Sequence, residues 1–188
     1  MPASIRPTLP GAPAPQGLYD GRHEHDACGV AFVADIQGRR SHQIVADALT
    51  ALHNLDHRGA SGAEVNTGDG AGLLAQIPDE FLRAVVDVDL PAAGAYAMGM
   101  VFVPREDASD RAATAAIEQI AAEEGLRVLS WRDVPTDSSM LGATALRVMP
   151  VFRQVFMAAV NGESGMAVER RAFCVRKRIE REIGVYLP

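Results

Sequence analysis

The stretch Glu24-His25-Asp26-Ala27-Cys28-Gly29-Val30, continuing into Ala31-Phe32-Val33, decides how this chain is read. A small residue precedes a Cys-Gly pair, and an apolar run follows. Upstream lies a leader with Pro2, Pro7, Pro10, Pro13 and Pro15 and with Gly11 and Gly17, a composition that favours an extended, uncollapsed segment. A cut between Ala27 and Cys28 would leave one residue carrying both a thiol and a free α-amine. A free thiol ionises near pH 8.5, so only a few per cent is thiolate at about pH 7. An adjacent base activates it. An α-amine with pKa about 7.7–8.0 is such a base, and an amide nitrogen is not. Residues 1–27 are therefore expected to be a pro-segment, with residues 28–188 forming the working domain. The competing reading makes Cys28 a small buried hydrophobe.

Bulk composition narrows the classes. The 188 residues suffice for one domain with a core, and 48% hydrophobic and 22% charged residues are ordinary for a globular protein. A formal net charge of −6 disfavours a general nucleic-acid binder, and no apolar run reaches bilayer-spanning length. No apolar h-region follows Arg6, so the leader is not a secretory signal. Two cysteines, Cys28 and Cys174, make no disulfide framework, and reduced thiols suit a cytoplasmic protein.

Apolar periodicity predicts the following order. Val30 to Ile36 reads as a buried strand. Ser41 then caps a helix whose apolar face is Ile44, Val45, Ala48, Leu49, Leu52 and Leu55, ending at Gly59 after His57 and Arg58. A loop from Ala60 to Gly72 opens onto a second buried strand, Leu73 to Ile77, stopped by Pro78. A short helix follows from about Asp79 through Val85. Then come a strand over Ala95–Val103, a helix from Ser109 to Glu124 halted by Gly125, and strands over Leu126–Trp131, Pro150–Ala159 and Ala167–Arg176. The Pro150–Ala159 strand places Arg153 and Gln154 near its polar face. A charged helix begins at Lys177. The pattern implies a layered α+β or α/β domain without internal repeats. The tail Val185-Tyr186-Leu187-Pro188 reads as the opening of a further strand, so a fragment is expected.

Other motifs admit bland readings. Thr67-Gly68-Asp69-Gly70-Ala71-Gly72 lacks the Gly-Lys-Ser/Thr end of a P-loop and precedes a strand, so a tight turn with positive φ at several glycines is expected in place of a phosphate cradle. His23, His25 and Cys28 have metal-like spacing but no second cluster completes a zinc set. His42, His53 and His57 fit a solvated helix flank. Arg58-Gly59 is either a helix cap or a guanidinium and carbonyl brought beside Cys28 by the packing of helix on strand. The basic and acidic residues from Glu169 to Glu182 alternate as on a solvated surface.

Taken together, Glu24–Val30, then His57-Arg58-Gly59-Ala60, then Thr67–Gly72 closely resemble the start of the large subunit of bacterial glutamate synthase. Gly17-Leu18-Tyr19-Asp20, Val134-Pro135-Thr136-Asp137, Met149-Pro150 and Arg176-Lys177-Arg178 also resemble that family. The resemblance implies a class II glutamine amidotransferase with the four-layer α-β-β-α sandwich of N-terminal-nucleophile hydrolases, an α+β fold incomplete here at its C-terminal end. It implies that Cys28 attacks the side-chain amide of glutamine and that Arg58 and Gly59 position substrate or the nucleophile's terminus. No metal or cofactor is expected in this chain. FMN and a 3Fe-4S cluster are implied for the synthase region that adds ammonia to 2-oxoglutarate. The implied partners are glutamine, the remainder of the large subunit and the small subunit, with no nucleic acid and no membrane. Family members continue past the equivalent of Tyr186 with the oxyanion-hole Asn-Gly pair and the residues gripping the substrate's α-groups. The expectation is therefore little or no glutaminase activity in this polypeptide alone. Alternative readings are a non-catalytic interaction fragment that folds with a partner, a metal-binding protein, or a class II amidotransferase of the amidophosphoribosyltransferase or glucosamine-phosphate synthase type. The long insertion from about Val88 to Gly165 favours glutamate synthase.

Overall fold

A computed structural model describes residues 17, 29–56, 64, 66–68, 70–103 and 105–185. The chain divides into two units, residues 1–73 and 74–188.

In the first unit the regular element is helix α1, His42–Asn54. Its start follows from Ser41, which holds extended backbone and whose Oγ accepts from the Gln43 amide at 3.0 Å. This satisfies one of the amides that a helix leaves orphaned, an arrangement worth about 1 kcal/mol. The helix ends earlier than the periodicity predicts. The Leu55 amide donates to both Ala51 and Leu52 carbonyls, tightening the last turn. Gly59, the predicted stop, lies outside the described residues. Residues 30–36 form no strand. Among the described residues no ladder partner flanks them, and Val30, Phe32 and Ile36 are exposed. A turn closes this segment: Gly38 takes φ +69° and donates its amide to the Asp35 carbonyl, while Asp35 Oδ1 accepts from Gln37.

The second unit is an α/β layer on a three-stranded antiparallel sheet. Helix α2 is Asp79–Val85, strand β1 Ala97–Val103, helix α3 Asp107–Glu123, strand β2 Leu126–Asp133, helix α4 Ala143–Val148, strand β3 Val151–Ala159 and helix α5 Met166–Glu182. The order is β1-β3-β2, with β3 antiparallel to both neighbours, so β1 and β2 run parallel and α3 makes the crossover between them. Alternation along the strands sorts side chains onto two faces. One face sends Val101, Val103, Val155 and Met157 against Ile117 and Ile120 of α3 and Val168, Val175 and Ile179 of α5. The other sends Phe156 against Leu82 of α2, with Leu90 and Tyr96. Each fully buried side chain of this size contributes about 1.5–3 kcal/mol.

Several expectations are corrected here. Leu73–Ile77 is not a strand: Leu74 is fully exposed, and Pro78 serves as the N-cap position of α2. Residues 167–176 are helical and continuous with the charged segment after them. Val168, Ala172, Val175 and Ile179 recur at a spacing of three to four and pack toward the core, and that period cannot line one face of a strand. The pairs Arg176–Glu180, Lys177–Glu180 and Arg178–Glu182 add support along the outer faces. Helix α4, unforeseen, buries no residue. Arg153 and Gln154 do not share a face, since consecutive strand residues point opposite ways. Gln154 is buried and accepts from Arg132, while Arg153 reaches α3.

Two arginines tie α5 to the end of α3. Arg178 meets Glu123, Glu124 and Glu182, and Arg171 donates to the Glu124 carbonyl at 2.8 Å and to Glu163. These arginines hold the carboxyls of Glu123, Glu182 and Glu163 below the usual range. Gly125 makes this junction possible. Its φ is +75°, and a Cβ there would stand 2.6 Å from Arg171 Nη1.

Candidate active site

The predicted site residues Cys28, Arg58 and Gly59 lie outside the described residues, as do His23, His25 and His57. What the structure gives is the arrangement of their chain neighbours. Gly29 lies against Leu55: a Cβ built on Gly29 would stand 3.1 Å from Leu55 Cδ2 and 3.3 Å from Leu55 Cβ. The φ of Gly29 is not in the left-handed region, so space and not backbone freedom makes glycine fit here. Residue 29 follows Cys28 directly, and Leu55 precedes Arg58 by one turn's worth of sequence. The end of α1 therefore packs on the residue next to the predicted nucleophile. Leu55 was visible in the sequence only as one member of an apolar stripe; no local pattern marks it as the residue that meets Gly29.

The glycine-rich loop is partly described. Thr67 folds back on Glu64 through its amide, 3.1 Å from the Glu64 carbonyl, and through its hydroxyl, 2.8 Å from Glu64 Oε2. Gly70 and Gly72 do not adopt the expected positive φ, and both are surrounded by open space. Both are exposed, so neither backbone conformation nor space demands glycine at either position.

In the second unit the strongest polar groupings serve packing. Tyr96 is buried and donates to Asp79 at 2.9 Å; burial, reinforced by that carboxylate, pushes its phenol up to about 12. Arg83 grips the same Asp79 and the carbonyls of Leu90 and Pro91, strapping α2 to the segment before β1. Arg153 bonds Asp110 and Thr114 on α3, both at 3.1 Å, and lies over the Trp131 ring. Cys174 is free and exposed. Among the described residues no group of three or more His, Cys, Asp or Glu is arranged to hold a metal, and no helix is long and apolar enough to cross a membrane.

A mixed α/β chain with an antiparallel sheet, whose Gly29 packs on Leu55 at a helix end, belongs to a known class of enzymes. The chain is a member of the class-II glutamine amidotransferase family, whose sequence model matches residues 28–186. Its relatives narrow the kinship to glutamate synthases. It is 39% identical over 170 residues to the glutamate synthase [NADPH] large chain of Bacillus subtilis, covering 89% of this chain and 11% of that protein. It is 41% identical over 188 residues to the glutamate synthase [NADH] of Schizosaccharomyces pombe, covering 95% of this chain and 9% of that protein. Against ferredoxin-dependent glutamate synthase 1 of Arabidopsis thaliana the identity is 38%, over 97% of this chain and 11% of that protein. The chain thus spans about a tenth of the length of these relatives.

Proposed function

We propose that this chain carries the glutamine-hydrolysing nucleophile of a glutamate synthase, with Cys28 as the first residue of the mature polypeptide. The observation that carries the reading is the seat of Gly29 on Leu55 within a family match that itself begins at residue 28. In this reading the Cys28 α-amine takes the thiol proton and the thiolate attacks the carboxamide carbon of glutamine. The tetrahedral adduct collapses with loss of ammonia, protonated by the same amine. Water then cleaves the γ-glutamyl thioester to glutamate and regenerates the thiol. The packing of α1 on Gly29 limits how the nucleophile's backbone can move, and fixed geometry is a large share of such catalysis. Arg58 and Gly59, just past the helix end, position the substrate or the freed terminus.

The overall fold in this reading is the N-terminal-nucleophile sandwich of two sheets between helical layers. Ammonia passes to 2-oxoglutarate in a synthase region outside this chain, and FMN and a 3Fe-4S cluster belong to that region.

The test does not need turnover. Intact mass and N-terminal sequencing should show a chain beginning at Cys28. An electrophilic glutamine analogue should then label Cys28 and spare the exposed Cys174, and glutamine should protect against labelling. Retention of residues upstream of Cys28, or labelling shared between the two cysteines and indifferent to glutamine, refutes the reading.

A further inference from the structure

Three atoms of one side chain surround the point at which residue 29 would carry a Cβ. Leu55 Cδ2 lies 3.1 Å from it, and Leu55 Cβ and Cδ1 each lie at 3.3 Å. A γ-branched side chain presents this set: an unbranched Cβ close to the neighbouring backbone and two methyls spread beyond it. Isoleucine has nearly the same volume but moves a branch onto Cβ, and alanine keeps Cβ alone. The seat of Gly29 therefore depends on the shape of Leu55 and not only on its apolar volume.

Leu55 is itself held. Its amide donates to the Ala51 carbonyl at 3.2 Å and to the Leu52 carbonyl at 3.1 Å, so the last turn of α1 fixes the backbone from which the side chain projects. By area the contact is a modest stabiliser, because Gly29 is exposed and Leu55 is only half-buried. What it supplies is a stop. Successive Cα atoms are about 3.8 Å apart across a trans peptide, so a stop on Gly29 also limits its covalent neighbour, Cys28. Arg58 follows Leu55 in the chain with only Asp56 and His57 between them, so one side chain links the proposed nucleophile to the segment proposed to position substrate.

Given Cys28 as the nucleophile proposed above, on which this rests, we infer that Leu55 is a positioning residue. Acting through Gly29, its forked side chain sets where the Cys28 thiol meets the carboxamide of glutamine, and a side chain of equal volume and different branching does not replace it. Displacing a reacting group by about 1 Å can cost as much as 100-fold in rate, so a small shift of the residue 29 backbone suffices to be felt.

Inactivation of the 188-residue chain by a chloroketone analogue of glutamine tests it. The thiolate displaces chloride and forms a thioether, and the concentration dependence separates KI for binding from kinact for bond formation. Leu55→Ile should lower kinact at Cys28 by about tenfold and leave KI unchanged, as when a reacting atom is displaced but binding is not. Leu55→Ala should lower it at least as far. Leu55→Ile conserves volume, so it keeps the test valid if Leu55→Ala fails to fold. Exposed Cys174, in the other unit, should react with iodoacetamide at the parental rate in each variant. A Leu55→Ile chain, folded by circular dichroism, whose kinact falls by less than about threefold overturns the inference and leaves the proposed function standing. So does a change confined to KI, a loss shared by Cys174, or a Leu55→Ile chain that does not fold, since each makes the contact structural only. A parent whose Cys28 is not labelled, or is labelled without protection by glutamine, overturns the proposed function and this inference with it.

Discussion

Gly29 sits so close to Leu55 that a single added carbon on the glycine would stand 3.1 Å from Leu55 Cδ2. Leu55 Cβ, at 3.3 Å, cannot swing away as a side-chain tip can, so relief requires movement of backbone at the end of α1. Gly29→Ala is therefore expected to destabilise the chain by about 1–3 kcal/mol, the usual cost of overpacking. Leu55→Ala should cost less in the Gly29→Ala background than in the parent, with a coupling of at least ~0.5 kcal/mol. Urea denaturation of the four proteins followed by circular dichroism measures it; strictly additive losses would show that the contact is not felt.

Gly125 and Gly162 form a matched pair for separating backbone strain from collision. Both take positive φ, +75° and +77°, but only at Gly125 would a Cβ meet Arg171. Gly162→Ala should lose about 1–2 kcal/mol from left-handed strain alone. Gly125→Ala should lose more, by about 1 kcal/mol or above, because Arg171 must also leave the Glu124 carbonyl. Equilibrium unfolding followed by fluorescence of Trp131, the single tryptophan, reports both.

Acid should act through Arg178. Its guanidinium holds Glu123 and Glu182 below the ordinary carboxylate range in the folded chain. A depressed folded pKa stabilises above the unfolded value, about 4.3, and that stabilisation is lost as pH falls through the folded values. Arg178→Gln should flatten the decline of melting temperature below about pH 4.3. Scanning calorimetry from neutral to acid pH, giving parallel curves for parent and variant, would rule this out.

At the alkaline end the sign reverses. Tyr96, raised to about 12 in the folded chain, stabilises fully below its unfolded pKa of about 10 and loses that contribution as pH climbs through the folded value. Tyr96→Phe keeps the ring but removes the bond to Asp79, at a cost of about 1.5–3 kcal/mol near neutral pH. The difference between parent and variant should shrink between about pH 10 and 12, as read by denaturation at each pH.

What could be read from order along the chain was whatever rests on local chemistry. Ser41 before an apolar stripe specifies the start of α1, Gly125 specifies the stop of α3, and the alternating runs around Val101, Val128 and Val155 specify three strands. Cys28, Arg58 and Gly59 were nominated by motif and resemblance, and they lie outside the described residues. Tertiary structure decided the rest, because a strand exists only by virtue of a neighbour. Val30–Ile36 and Leu73–Ile77 have strand-like composition but no described ladder partner, and most of their apolar side chains, Val33 apart, are exposed. Residues 167–176 have apolar content that suits a strand or a helix, and packing of Val168, Val175 and Ile179 on the sheet selects the helix. The meeting of Gly29 with Leu55 joins positions far apart in sequence, and no local propensity encodes a distance of that kind.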